Sequence, residues 1–252
     1  MTWLEIIILF LSGTLAGIIN TVVGSGSLVT FPALIALGYP PILANVTNNV
    51  GVLPGSISGA IAYRRELKGQ LKPLALLAAF SVAGGLLGAL LLLQLPPSTF
   101  DGVVPVLIIL ACVLVVIGPW LKRKIAESRK PGHEQSHRVA LHATSGLTGV
   151  YGGYFGAAQG VLLLSSLSVL LPGGIQRANA YKNVLAATAN FAAAIVFVCI
   201  SQVAWLAAGV IAVGAVLGGQ IGGSVGRRLP PIVFRTIVVG IGIVATVYFY
   251  AS

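Results

Sequence analysis

Charge is what this sequence has least of. Only 8% of its 252 residues are charged, whereas 57% are hydrophobic and the mean hydropathy is strongly positive. A water-soluble domain carries roughly a quarter of its residues as charges, so a soluble fold is excluded at the outset. Cysteine is nearly absent too. Cys112 and Cys199 lie far apart inside apolar runs, which argues against a disulfide framework or a metal cluster and leaves packing as their role. The five acids are Glu5, Glu66, Asp101, Glu127 and Glu134, and none lies deep in an apolar run. An intramembrane protease built on paired aspartates is therefore excluded, and neither an enzyme, a cofactor nor a metal is expected. Nor does any G-x-x-x-x-G-K-[ST] occur, so this chain alone is no ATP-driven pump. Sodium- and proton-coupled carriers often place a carboxylate within the bilayer, and that device is missing here.

What the chain has is apolar length. Runs of bilayer dimension fall at about 3–22, 44–63, 72–94, 102–121, 139–155, 178–200, 203–226 and 232–250. Two shorter runs, 27–37 and 161–171, have 11 residues each. A helix of that length reaches about half-way across the ~30 Å hydrocarbon layer. The expected fold is all-α, a polytopic helical bundle of eight full spans plus two half-helices. Residues 1–22 lack a basic leader and carry Glu5, so they read as a mature helix and not as a signal peptide.

The chain also contains itself twice. Ala44-Asn45-x-x-x-Asn49-Val50 recurs as Ala178-Asn179-x-x-x-Asn183-Val184, an offset of 134 residues. The same offset carries Gly26 onto Gly160, Gly84-Gly85-x-x-Gly88 onto Gly218-Gly219-x-x-Gly222, and Leu95-Pro96-Pro97 onto Leu229-Pro230-Pro231. In an apolar chain such a duplication marks a transporter. Residues 1–121 form the first repeat, 122–138 a basic linker and 139–252 the second repeat.

Charge then orients the repeats. The formal net charge of +10 comes from 15 Lys and Arg. Most fall at Arg64, Arg65, Lys68 and Lys72, in the linker (Lys122, Arg123, Lys124, Arg129, Lys130, Arg138), and at Arg227-Arg228. Under the positive-inside rule these clusters are cytoplasmic. The offset overlays Arg64-Arg65 on the neutral Val198-Cys199, and the neutral Leu95 turn on the basic Arg227–Pro231 turn. Matching turns face opposite sides, so the repeat reads as inverted with both termini outside. His133 and His137 in the linker are spaced i, i+4 like a metal pair, but no third ligand is near, and a solvated linker is expected.

The candidate site residues sit where polar and glycine residues interrupt the apolar runs. In the first half these are Asn20, Thr21, Gly24, Ser25 and Gly26; in the second, Tyr154, Gln159 and Gly160. Glycine lets the backbone leave helical geometry, and a half-helix starting there directs free N–H groups and its positive end into the gap, which suits an anion. Such backbone survives in a bilayer only inside protein or along a wet cavity. Glycines 84, 85, 88 and their repeats read instead as close-packing residues. Asn45, Asn48 and Asn49, with Asn179, Lys182 and Asn183, form the second group. One Asn per half is explained by N-capping, the second at +4 only by lining a site. Lys182 reads equally as counter-charge to an anion or as a side chain snorkelling to the surface. His142, near a span start, reads as a polar contact.

The run from Ala16 through Asn20-Thr21-Val22-Val23-Gly24-Ser25-Gly26-Ser27 to Leu34, followed by Ala44–Asn48, resembles the TauE/SafE sulfite-exporter-like permeases. Gly149–Gly160 and Ala178–Asn183, with its Lys182-Asn183 pair, resemble the family's second-half motif. The match covers nearly the whole chain. It departs at Ser25 and Gln159, where Gly or Ala is expected. The resemblance implies a carrier, an exporter in the cytoplasmic membrane of a prokaryote, for small sulfur-containing anions such as sulfite or organosulfonates. A passive anion channel on the same scaffold is the alternative, and a membrane enzyme or scaffold a more distant one. Glycine-rich faces are compatible with a homodimer.

Overall fold

A backbone in an apolar setting must satisfy its own N–H and C=O groups, and a helix does so within one segment. The structure, a computed structural model, describes residues 1–128, 134–172, 174–225 and 231–251, and no strand occurs among them. The helices are α1 (Trp3–Val22), α2 (Ser27–Ala36), α3 (Pro41–Ala62), α4 (Leu71–Gln94), α5 (Pro97–Ser128), α6 (Glu134–Tyr154), α7 (Gln159–Leu170), α8 (Gly174–Ile200), α9 (Trp205–Val225) and α10 (Pro231–Ala251). A 3-10 turn at Arg64–Leu67 joins α3 to α4.

Local chemistry sets several boundaries. Thr2 and Glu5 form a capping box at α1, with Glu5 N–H donating to Thr2 Oγ1 at 3.3 Å and Thr2 N–H to Glu5 Oε2 at 3.1 Å. Pro41 opens α3, where its missing N–H costs nothing. The two short runs fold as the two shortest α-helices, α2 and α7, with 10 and 12 residues. The helix α5 departs from expectation by running 32 residues, beyond both ends of 102–121. Its last turns are built from good helix formers, and Glu127 pairs with Arg123 at 3.5 Å and Lys124 at 3.4 Å. The residues Arg129, Lys130, His133, Arg227, Arg228, Leu229 and Pro230 lie outside the described residues.

Five helices are long and apolar enough to cross a bilayer among the described residues: α1, α4, α8, and the cores of α5 and α9. The helices α3 and α6 have the length, at 22 and 21 residues, but not the apolar composition. In α3 the polar residues Asn45, Thr47, Asn48, Asn49, Ser56 and Ser58 are all buried against protein. That is the setting in which a polar span is stable.

The principal contacts come in matched pairs. Helix α1 packs on α9 as α6 packs on α4, and α3 packs on α9 as α8 packs on α4. Helices α3 and α8 pack on each other, and α5 packs on α10. Glycine makes the tightest of these contacts. A Cβ at Gly84 would collide with the Gly146 carbonyl oxygen, at Gly85 with that of Ala189, and at Gly88 with that of Val150. In the second repeat a Cβ at Gly218 would strike the Thr14 oxygen, and at Gly222 it would lie 2.9 Å from the Ile18 oxygen. These glycines serve close packing of helices.

Candidate functional site

Each half contains one helix that stops inside the bundle. The helix α1 ends at Val22, Gly24 takes a left-handed φ of +90°, and α2 starts at Ser27. The helix α6 ends at Tyr154, Gly156 has φ +79° and Ala158 has φ +62°, and α7 starts at Gln159. Ala158 alone among the described non-glycine residues adopts positive φ, a strain of about 1–3 kcal/mol held by its surroundings.

The two breaks touch. The Gly160 N–H donates to the Gly24 carbonyl at 2.9 Å, and a Cβ on either glycine would run into the other's backbone. Gly160 is thus expected as a donor to substrate but already has a protein acceptor in this conformation. Behind the contact, Phe31 and Phe155 meet edge to face with ring centres 5.2 Å apart.

The helices α3 and α8 then hold the broken ends of the opposite half. Asn45 Nδ2 donates to the Tyr154 carbonyl at 2.9 Å, at the end of α6. Asn179 Nδ2 donates to the Thr21 carbonyl at 3.2 Å, at the end of α1. Neither Asn45 nor Asn179 is an N-cap, because Pro41 and Gly174 start their helices more than a turn earlier. Lys182 is 1% exposed, so it does not snorkel. Its Nζ donates to the Asn20 carbonyl at 2.8 Å and the Thr21 carbonyl at 2.9 Å. A multiple donor at the C-terminal end of α1 meets carbonyls that the helix itself leaves free. Asn20 Nδ2 donates to Ser56 Oγ at 2.8 Å, and Thr30 Oγ1 donates to Asn48 Oδ1.

Six of the expected site residues carry a buried polar atom without a hydrogen-bond partner: Thr21 Oγ1, Ser25 Oγ, Asn49 Oδ1, Gln159 Nε2, Asn179 Oδ1 and Asn183 Nδ2. Buried polar groups are nearly always paired, and these six unpartnered atoms come from both breaks and from both α3 and α8. Two hydroxyls and two amide N–H₂ groups are donors, and two amide oxygens are acceptors. Gly26 lies against the Ala16 carbonyl, which leaves no room for a side chain there.

Sequence reasoning passed over Ser56, Thr30, Tyr151 and Asn190. Asn190 Oδ1 and Tyr151 Oη are also buried without a partner. The signal for two of them was available, since Ser56 and Asn190 are related by the same offset of 134 and each lies seven residues beyond Asn49 or Asn183. His142 does make a polar contact, its Nδ1 lying 2.7 Å from the Arg138 carbonyl oxygen. The linker also spells H-E-x-x-H at His133-Glu134-Gln135-Ser136-His137, the pattern that pairs two zinc ligands on one helix face. His133 lies outside the described residues, and among those described no three His, Cys, Asp or Glu side chains gather to hold a metal. A separate cavity of about 690 Å³ lies between α1, α2, α5 and α10, lined by Leu11, Leu15, Val29, Pro32 and Ile108 among others. It is apolar and contains none of the expected site residues.

The sequence profile of the family described as "Sulfite exporter TauE/SafE" matches residues 9–249. The chain is 31% identical over 215 residues to "Probable membrane transporter protein YfcA" of Escherichia coli (strain K12), covering 85% of this chain and 78% of that protein. It is 28% identical over 232 residues to a "Probable membrane transporter protein" of Haemophilus influenzae, covering 92% and 89% of the two chains. It is 29% identical over 214 residues to "Probable membrane transporter protein ORF9" of a Sinorhizobium species, covering 85% and 80%. No solved structure matches. With its several apolar helices and a family match spanning nearly its full length, the chain is a multi-pass membrane protein and belongs to the TauE/SafE family of membrane transporters.

Proposed function

We propose that this protein is a secondary transporter that exports small sulfur-containing anions, sulfite or organosulfonates, across the cytoplasmic membrane of a prokaryote. The observation that carries this reading is the set of unpartnered buried polar atoms contributed by both halves where the two broken helices meet. An oxyanion has several acceptor oxygens and, when protonated, a donor. Its oxygens would satisfy Thr21, Ser25, Gln159 and Asn183 at once, a protonated sulfite would donate its single O–H to Asn49 or Asn179, and Lys182 would supply the opposite charge. The sulfur chemistry itself comes from the family name.

The bundle works as two inverted repeats, residues 1–121 and 139–252, joined by the linker 122–138. Eight full spans and the half-helices α2 and α7 cross the bilayer, and both termini face outside. The matched helix contacts and the pairing of a basic turn with a neutral one at equivalent positions support this arrangement. The Gly24–Gly160 contact closes the path between the breaks, so substrate passes when the two repeats exchange conformations. With no acid deep in a span, transport is uniport or is coupled through the substrate's own protonation. A stoichiometric sodium requirement in a flux assay would contradict that.

The test is counterflow of radiolabelled sulfite into proteoliposomes. Internal sulfite is expected to drive saturable uptake that organosulfonates compete for and that Asn45→Ala and Asn179→Ala lose. Non-saturable flux with single-channel currents would establish a passive channel instead. No uptake by folded wild type would remove the assigned substrate.

A further inference from the structure

The two broken ends are held alike but not equally. The end of α6 receives one neutral donor, the Asn45 amide. The end of α1 receives the corresponding amide of Asn179 and, in addition, both contacts from the Lys182 ammonium. The difference traces to one repeat position: the offset of 134 pairs Asn48 with Lys182. Asn48 is satisfied within its own half by Thr30, but the residue at Thr30's repeat position is Leu164, which offers no side-chain acceptor. Lys182 therefore reaches across to the other half.

We propose that Lys182 is a charge latch: its ammonium holds the end of α1 against α8, and an anion arriving at the breaks competes for that ammonium and releases α1. This rests on the anion-transport reading above. The competition follows from charge. A helix end presents about half an elementary charge, whereas an oxyanion presents one or two. The competitor's place is beside the latch, because Thr21, whose carbonyl is gripped by Lys182, also carries an unpartnered buried hydroxyl. Among the described residues, release of Lys182 leaves Asn179 as the one remaining side-chain donor on the end of α1, as Asn45 is on the end of α6. Substrate thus frees one gate preferentially, and the empty carrier stays shut.

Hydrogen–deuterium exchange of the purified protein in nanodiscs tests the latch, read at the backbone amides of residues 20–26 with and without sodium sulfite. Binding is monitored separately by thermal shift. In wild type, sulfite is expected to speed exchange in this segment by about tenfold or more, because both carbonyl contacts of the ammonium are released. Lys182→Asn, which restores the symmetry of the repeat, is expected to exchange fast without sulfite and to show no further response. Lys182→Gln substitutes for it if the Asn variant does not fold. Bound sulfite that leaves exchange unchanged in wild type would overturn the latch, as would a Lys182→Asn or Lys182→Gln protein exchanging as slowly as wild type. Absence of any sulfite-induced thermal shift would count against the substrate assignment alone. The latch would then be decided by the comparison of ligand-free wild type with the Lys182 variants, where faster exchange in the variant supports it.

Discussion

Asn45 and Asn179 occupy the same place in the repeat, yet their loss should not cost the same. The carbonyl of Thr21 has two donors, Asn179 and Lys182, whereas Asn45 is the one side-chain donor to the carbonyl of Tyr154. Asn45→Ala should therefore leave this part-buried carbonyl without its side-chain donor and destabilise the protein by about 1 kcal/mol. Asn179→Ala should cost appreciably less. Thermal unfolding in detergent checks the order, and a larger drop in Tm for Asn179→Ala would contradict the hydrogen-bond assignment. Gly24 poses a stricter requirement, since it combines φ +90° with a backbone neighbour where its Cβ would go. Gly24→Ala is predicted to part the breaks or prevent folding, seen as lost transport together with a lowered Tm. At this scale the sequence was informative about residue type and silent about partners. The pairing of Asn with +4 Asn pointed to α3 and α8, but nothing in it disclosed that each amide reaches the other repeat's broken end. That relation depends on the packing of α3 and α8, which is a tertiary fact. Lys182 was ambiguous for the same reason, because snorkelling and burial differ only in where the helix sits in the bundle.

At the scale of elements, the apolar run lengths and the glycine interruptions located each α-helix among the described residues, though not the 3-10 turn at Arg64–Leu67. The two short runs were found because bilayer thickness sets a length standard against which 11 residues is half a span. The ends of α5 were misjudged because its flanks, Pro97–Asp101 and Lys122–Ser128, are polar yet helix-compatible, and polarity was the boundary signal. The glycine rows make a separate prediction. Gly88→Ala should destabilise the α4–α6 contact by about 1–3 kcal/mol through overpacking. Gly209→Ala and Gly240→Ala, where nothing lies within 4 Å of the added carbon, should be neutral or slightly stabilising by helix propensity. Equal Tm shifts for all three would show that the row at Gly84–Gly88 is not a packing face.

At the scale of the whole molecule, the repeat offset and the charge pattern together make a sided prediction. Lys68 and Gln202 are exactly one repeat apart, and both lie exposed between helices. In an inverted repeat, Lys68→Cys should react with a membrane-impermeant maleimide only from the cytoplasmic side and Gln202→Cys only from the outside, in a background lacking Cys112 and Cys199. Labelling of both from one side would contradict the inversion. The central claim is that both repeats furnish one shared anion site. Calorimetric titration of sulfite into wild type, Ser25→Ala and Gln159→Ala protein tests it most directly. The account predicts one sulfite per chain and a loss of affinity of about tenfold from either variant, the worth of one charge-assisted hydrogen bond. Two sulfites per chain, or an affinity indifferent to one half's variant, would contradict it.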